Sequence, residues 1–185
     1  MNADRRTILK MCASGVLAQS LYGESALAQT AHRFPTAEIT MSERTCSAWA
    51  HTTLHVWPEK YLLVSLPTSA VPEAAKIVGL STGTFAALVL ERDEVSLTLP
   101  ESVWSAHAMK ASAQDGPYRA VSFDLNLGLE VFGYFAPAAV RLANEGISIV
   151  PQSAYLKDHV LVHDKDLDKT VATLENLIKD CKQAK

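Results

Sequence analysis

The chain has 185 residues, 48% hydrophobic and 20% charged, with a formal net charge of −3 and a pI near 6.1. That length and apolar content suit one compact domain or two small ones sharing a core. The lack of a basic surplus argues against nucleic acid as a partner, and no apolar run reaches the roughly 18 residues that a membrane span needs. Three cysteines are too few for a disulfide framework.

The N-terminus, Asp4-Arg5-Arg6-Thr7-Ile8-Leu9-Lys10, has the pattern of a twin-arginine export signal. A weakly apolar stretch from Met11 to Leu21 follows, and Ala26-Leu27-Ala28 offers a small-x-small cleavage site before Gln29. Ser14, Gly15 and Gln19 make the stretch too polar for a stable membrane anchor. Cys12 follows a bulky Met11 and a charged Lys10, so it is not read as a lipid-attachment site. The expectation is a signal peptide over 1–28 and an exported, periplasmic bacterial protein; a true start downstream of Met1 would leave it cytoplasmic. Export would place Cys46 and Cys181 where a disulfide persists, but spacing in sequence does not decide whether they pair.

Residues 29–53 are polar and aperiodic, expected as a tether with a short helix around 42–50. Tyr61 to Leu66 is a buried strand stopped by Pro67. Val71 to Leu80 is a helix with Pro72 in its first turn. Thr84 to Leu90 and Val95 to Leu99 form a hairpin across Arg92-Asp93. Asp115-Gly116-Pro117 reads as a turn before a strand from Tyr118 to Leu125. Phe135 to Glu145 has helical spacing at Ala136, Ala139, Val140 and Ala143, closed by Gly146. Ile147 to Val150 and Val160 to Val162 are strands. Asp166 to Cys181 is an amphipathic helix with Leu167, Val171, Leu174, Leu177 and Ile178 on one face. Strand, helix, strand, strand, helix thus runs twice, over 54–112 and 113–185. Each unit is too small to cover its sheet alone, so a shared core is expected.

Candidate chemistry is sparse. Gly79-Leu80-Ser81-Thr82-Gly83 matches a hydrolase nucleophile elbow, but it lies after a helix and before a strand, the reverse of what that motif needs. His51 and His55 would share a helical face, yet the segment at His55 looks extended and no third metal ligand follows. His159 and His163 lie four apart on a strand and read as surface residues. Glu91, Asp93 and Glu94 read as a solvated hairpin turn.

Four segments carry a family resemblance: Tyr61 to Pro67 with Pro72 downstream; Asp93-Glu94-Val95-Ser96-Leu97; Gly133-Tyr134-Phe135 leading to Leu142-Ala143-Asn144-Glu145-Gly146-Ile147; and Ser153-Ala154-Tyr155 followed by Val160 to Val162 and the last helix. Over about 54–181 the chain resembles the small tandem ACT-domain proteins, which are similar to the regulatory halves of amino-acid-sensing kinases. The resemblance implies an α+β fold with the ferredoxin-like βαββα unit repeated twice. It implies a non-catalytic regulatory or sensor protein, without cofactor or metal, that binds an amino acid or small carboxylate and allows a homodimer. By the same resemblance, the ligand would meet backbone at Phe132, Gly133 and Tyr134, faced by Pro151, Gln152 and Ser153. The sequence departs from the family after the second strand, where Ala154 and Leu156 stand in place of polar residues. Two alternatives stay open: an interaction module with no ligand, and an uncharacterised exported enzyme.

Overall fold

A computed structural model describes residues 40–107, 109–126, 128 and 130–184. The expected signal peptide, with Arg5, Arg6 and the cleavage after Ala28, and the tether as far as residue 39 lie outside the described residues.

The first described element is a helix, α1, Glu43–His51. Its start is set locally, because the Ser42 Oγ accepts the Thr45 amide at 3.1 Å. The strands are β1 Thr53–Val56, β2 Tyr61–Leu66, β3 Ala87–Leu90, β4 Val95–Pro100, β5 Ala113–Asp124, β6 Ile149–Ser153 and β7 Asp158–His163. The remaining helices are α2 Val71–Gly79, α3 Glu101–Ser105, α4 Ala136–Asn144 and α5 Leu167–Gln183. No described helix is long and apolar enough to cross a membrane.

All the described strands join one antiparallel sheet in the order β3-β4-β2-β5-β7-β6, with β1 also pairing β5. This is the βαββα unit used twice, the units meeting edge to edge through their first strands, β2 and β5. The α+β, ACT-like arrangement is therefore the fold of the described residues.

Strand alternation decides where the helices lie. Tyr61 and Tyr118 are register partners and pack together with Ala120 and Leu161 on one face. Their chain neighbours point the other way: Leu62, Val64 and Leu66 pack with Ala74 and Ile77 of α2 and Trp104 of α3. Val121, Phe123, Val160 and Val162 do the same beneath α1, α4 and α5. The helices thus share one face, over two neighbouring apolar clusters.

Helix ends explain several boundaries. Pro72 and Pro137 fall in first turns, where a missing amide costs nothing. The α4 helix closes with Gly146 at φ 72°, its amide on the Ala143 carbonyl and the Ile147 amide on the Leu142 carbonyl at 2.9 Å each. That cap consumes Gly146 and Ile147, so β6 begins at Ile149 rather than 147 and runs on through Pro151 to Ser153. Proline is tolerated there because β6 is an edge strand.

Two further expectations need correction. Asp115-Gly116-Pro117 is not a turn but lies inside β5. The register of β2 slips between Tyr61 and Leu63 opposite it, and the Asp115 carboxylate accepts the Gly116 amide at 2.9 Å and the Tyr118 hydroxyl at 3.0 Å. Residues 40–53 lie in the expected tether, yet α1 is built into the core. Trp49 is 0% exposed, stacked on Tyr134 at 4.8 Å and edge-on to Phe123 at 5.0 Å.

Truncating that indole removes a large buried side chain and a donor together. Trp49→Ala should cost about 3–5 kcal/mol in denaturant unfolding, with an unchanged slope. A loss under about 1 kcal/mol would mean that α1 is not part of the cooperative core.

Candidate ligand cleft

The loop between β5 and α4 is held from below by α1. The Thr45 hydroxyl donates to the Phe132 carbonyl at 2.9 Å, and the Trp49 indole N–H donates to the Tyr134 carbonyl at 2.8 Å. The Thr52 hydroxyl donates to the Ala48 carbonyl at 3.0 Å, so in its 2.6 Å contact with the Tyr134 hydroxyl the tyrosine is the donor. Burial pushes the Tyr134 phenol up to about 12. Gly133 stands at φ 69°, and a Cβ there would meet open space, so backbone conformation rather than room selects glycine.

Above this loop lies a cleft of about 350 Å³, lined by Gly133, Tyr134, Phe135 and Ala136 on one side and by Ser153 to Asp158 on the other. The α4 helix starts at its wall with no side-chain cap, which brings its positive dipole end to the opening; the Ala136 amide is taken by the Gly133 carbonyl at 3.2 Å and Pro137 has none. The far wall is the β6–β7 turn. The Lys157 ammonium pairs with the Asp124 carboxylate there and holds that carboxyl below its ordinary range. The Ser153 hydroxyl donates to Asp158 at 2.7 Å. The rim is apolar and open to solvent: Phe132 is 84% exposed, Tyr155 83% and Leu156 50%.

Of the six expected ligand contacts, Gly133, Tyr134 and Ser153 line the cleft. Phe132 sits at its rim. Pro151 and Gln152 do not line it, because the later start of β6 places them within the strand and moves the turn to 154–157. Tyr134 offers backbone only, since its ring is locked against Trp49. Sequence reading missed Lys157 and Asp158. Their place in a short polar turn after a strand was the available signal.

The other candidates separate cleanly. Ser81 is buried, follows α2 and precedes β3. His51 ends α1 with its Nδ1 2.7 Å from the Ser47 carbonyl, whereas His55 lies in β1. Glu94 accepts a hydrogen bond from the Ser65 hydroxyl across the sheet. Among the described residues no group of three or more His, Cys, Asp or Glu side chains could hold a metal.

His159 is not a surface residue: it is 6% exposed, packed on Phe85 at 4.5 Å. The Trp57 indole N–H donates to the Ser122 hydroxyl at 2.7 Å, and that hydroxyl is in hydrogen-bond contact with His159 Nδ1 at 2.6 Å. With serine and imidazole both buried across a strand pair, the dyad is built as packing.

Residues 114–176 match the family model of the ACT domain, from β5 through most of α5. Solved structures share the fold. One is a Vibrio cholerae protein of unknown function described as a possible transport protein: TM-score 0.59, 16% identity, covering 75% of this chain and 99% of that one. Another is from Agrobacterium tumefaciens: TM-score 0.56, 24% identity, covering 69% and 89%. A third comprises aspartokinase alpha and beta subunits: TM-score 0.52, 18% identity, covering 69% and 99%. No curated protein matches the sequence. The family match places an ACT domain over the second βαββα unit, and the solved structures share the fold.

Burial lowers the His159 pKa below its ordinary 6.5, so the folded state resists protonation. Its contribution to stability is complete above the unfolded-state value and is lost as pH falls through the depressed folded value. Thermal stability should therefore drop as pH is lowered from about 6.5, with a shallower drop in His159→Asn. Equal slopes in melts from pH 7.5 to 4.5 would contradict this account of the dyad.

Proposed function

We propose that the protein is a non-catalytic ACT-type sensor or carrier that binds an amino acid or small carboxylate in the cleft between the start of α4 and the β6–β7 turn. The observation that carries the reading is the charge arrangement of that cleft. The positive dipole end of α4 and the Lys157 ammonium suit a carboxylate. The Asp158 carboxylate a few residues away suits an ammonium group. A volume of about 350 Å³ accommodates a ligand of this size. The exposed Phe132, Tyr155 and Leu156 give an apolar rim for its side chain.

A thermal-shift screen of the common amino acids and small carboxylates tests the reading. At least one should raise Tm in a saturable way by several degrees. Ala136→Asp places a carboxylate in the first turn of α4, which suits the helix and competes with a ligand carboxylate. That variant should fold with undiminished Tm and lose the response at least tenfold. A flat panel on folded protein would contradict the proposal.

A second reading, assembly without ligand, draws on exposed Val89 and Leu90 of β3, which forms one edge of the sheet, and exposed Leu80 before it. Sedimentation would then give a dimer whose formation Val89→Lys abolishes.

We further propose export through the twin-arginine motif at Arg5 and Arg6, with cleavage after Ala28. The mature N-terminus should be Gln29 by protein sequencing. Replacing Arg5 and Arg6 with lysines should hold the precursor in the cytoplasm, and unchanged secretion would refute this route.

A further inference from the structure

Cys46 lies on α1 and Cys181 in the last turns of α5, 135 residues apart in sequence but against one another in the fold. Both are free thiols. The Cys46 thiol donates to the Cys181 carbonyl oxygen at 3.9 Å, which sets the two residues side by side. Both line a cavity of about 540 Å³ with Met41, Ser42, Glu43 and Ala184, which gives a small oxidant a route to the sulfurs. Only Cys46 is partly exposed; Cys181 is buried.

We propose that Cys46 and Cys181 are a disulfide-forming pair that closes by exchange with a small-molecule or protein disulfide and clamps α1 to α5. The Cys46 thiol loses its proton and attacks one sulfur of the external disulfide, whose other half leaves as a thiol. This leaves a mixed disulfide on Cys46. Cys181 then loses its proton and its sulfur attacks the Cys46 sulfur, expelling the second half as a thiol. Two protein thiols are oxidised and one external disulfide is reduced to two thiols, so electrons and protons balance. The order follows from exposure. Burial, with the neighbouring Cys46 thiol, pushes the Cys181 thiol up, so it is the poorer first nucleophile and reacts in the intramolecular step, where its closeness to Cys46 offsets the small thiolate fraction.

The clamp has a consequence for the loop above it. The same helix holds the Phe132 and Tyr134 carbonyls through Thr45 and Trp49, on either side of Cys46. Tying α1 to α5 therefore also restrains the 132–134 loop. The disulfide itself stands whether or not the cleft binds a ligand.

The test uses the full chain treated with oxidised glutathione and then alkylated. A tryptic map should show peptide 45–60 joined to peptide 180–182, with Cys12 still alkylated. Tm should rise by roughly 5 °C or more and return on adding dithiothreitol. Cys46→Ser, at a partly exposed position, should fold and show neither change; Cys181→Ala should behave alike. Two alkylated thiols after treatment, or a stable glutathione adduct on Cys46 beside a free Cys181, would overturn the pair. A joined peptide with no rise in Tm would overturn the clamp.

Discussion

The pairing of β2 with β5 is the constraint on which the rest of the structure depends. Each βαββα unit covers one face of a three-stranded sheet and leaves its first strand as an open edge. Pairing those two edges removes both and makes one continuous sheet. The register of Tyr61 with Tyr118 then puts all helices on one face, because strand alternation allows no other distribution. Two apolar clusters follow, and every element that positions the cleft hangs from the second of them.

Within that second cluster, α1 acts as a support beneath the β5–α4 loop. Trp49 fills the space between Phe123 and Tyr134 and satisfies the Tyr134 carbonyl, while Thr45 satisfies that of Phe132. With those carbonyls and the Tyr134 ring turned inward, the loop presents the start of α4 to solvent. The cleft is therefore pre-organised by packing on one side and by an ion-paired turn on the other.

The fold was legible in the sequence wherever local rules agree with burial. The α5 stripe, the proline starts of α2 and α4, and the Gly146 cap each name their element from a few residues. The failures have a common cause, which is that long-range partners override local appearance. The stretch Glu43 to His51 is mostly polar, and nothing local reveals that Trp49 meets a cavity built by residues more than 70 positions away. Asp115-Gly116-Pro117 has turn chemistry, but a slipped register in β2 lets it run as strand. His159 looked exposed because its hydrogen-bond partner, Ser122, comes from another strand. At the cleft, Gly133 was readable from its place before a helix. Pro151 and Gln152 were misplaced by a two-residue offset that the α4 cap imposes on β6.

The central claim is that the start of α4 and the β6–β7 turn together form one small-molecule site. Amide chemical-shift mapping of labelled protein during titration with an amino acid tests it directly. The account predicts saturable shifts concentrated at residues 133–136 and 153–158, with the α2 and β3 signals unmoved. Saturable shifts centred elsewhere, or none across the amino acids and small carboxylates, would contradict it.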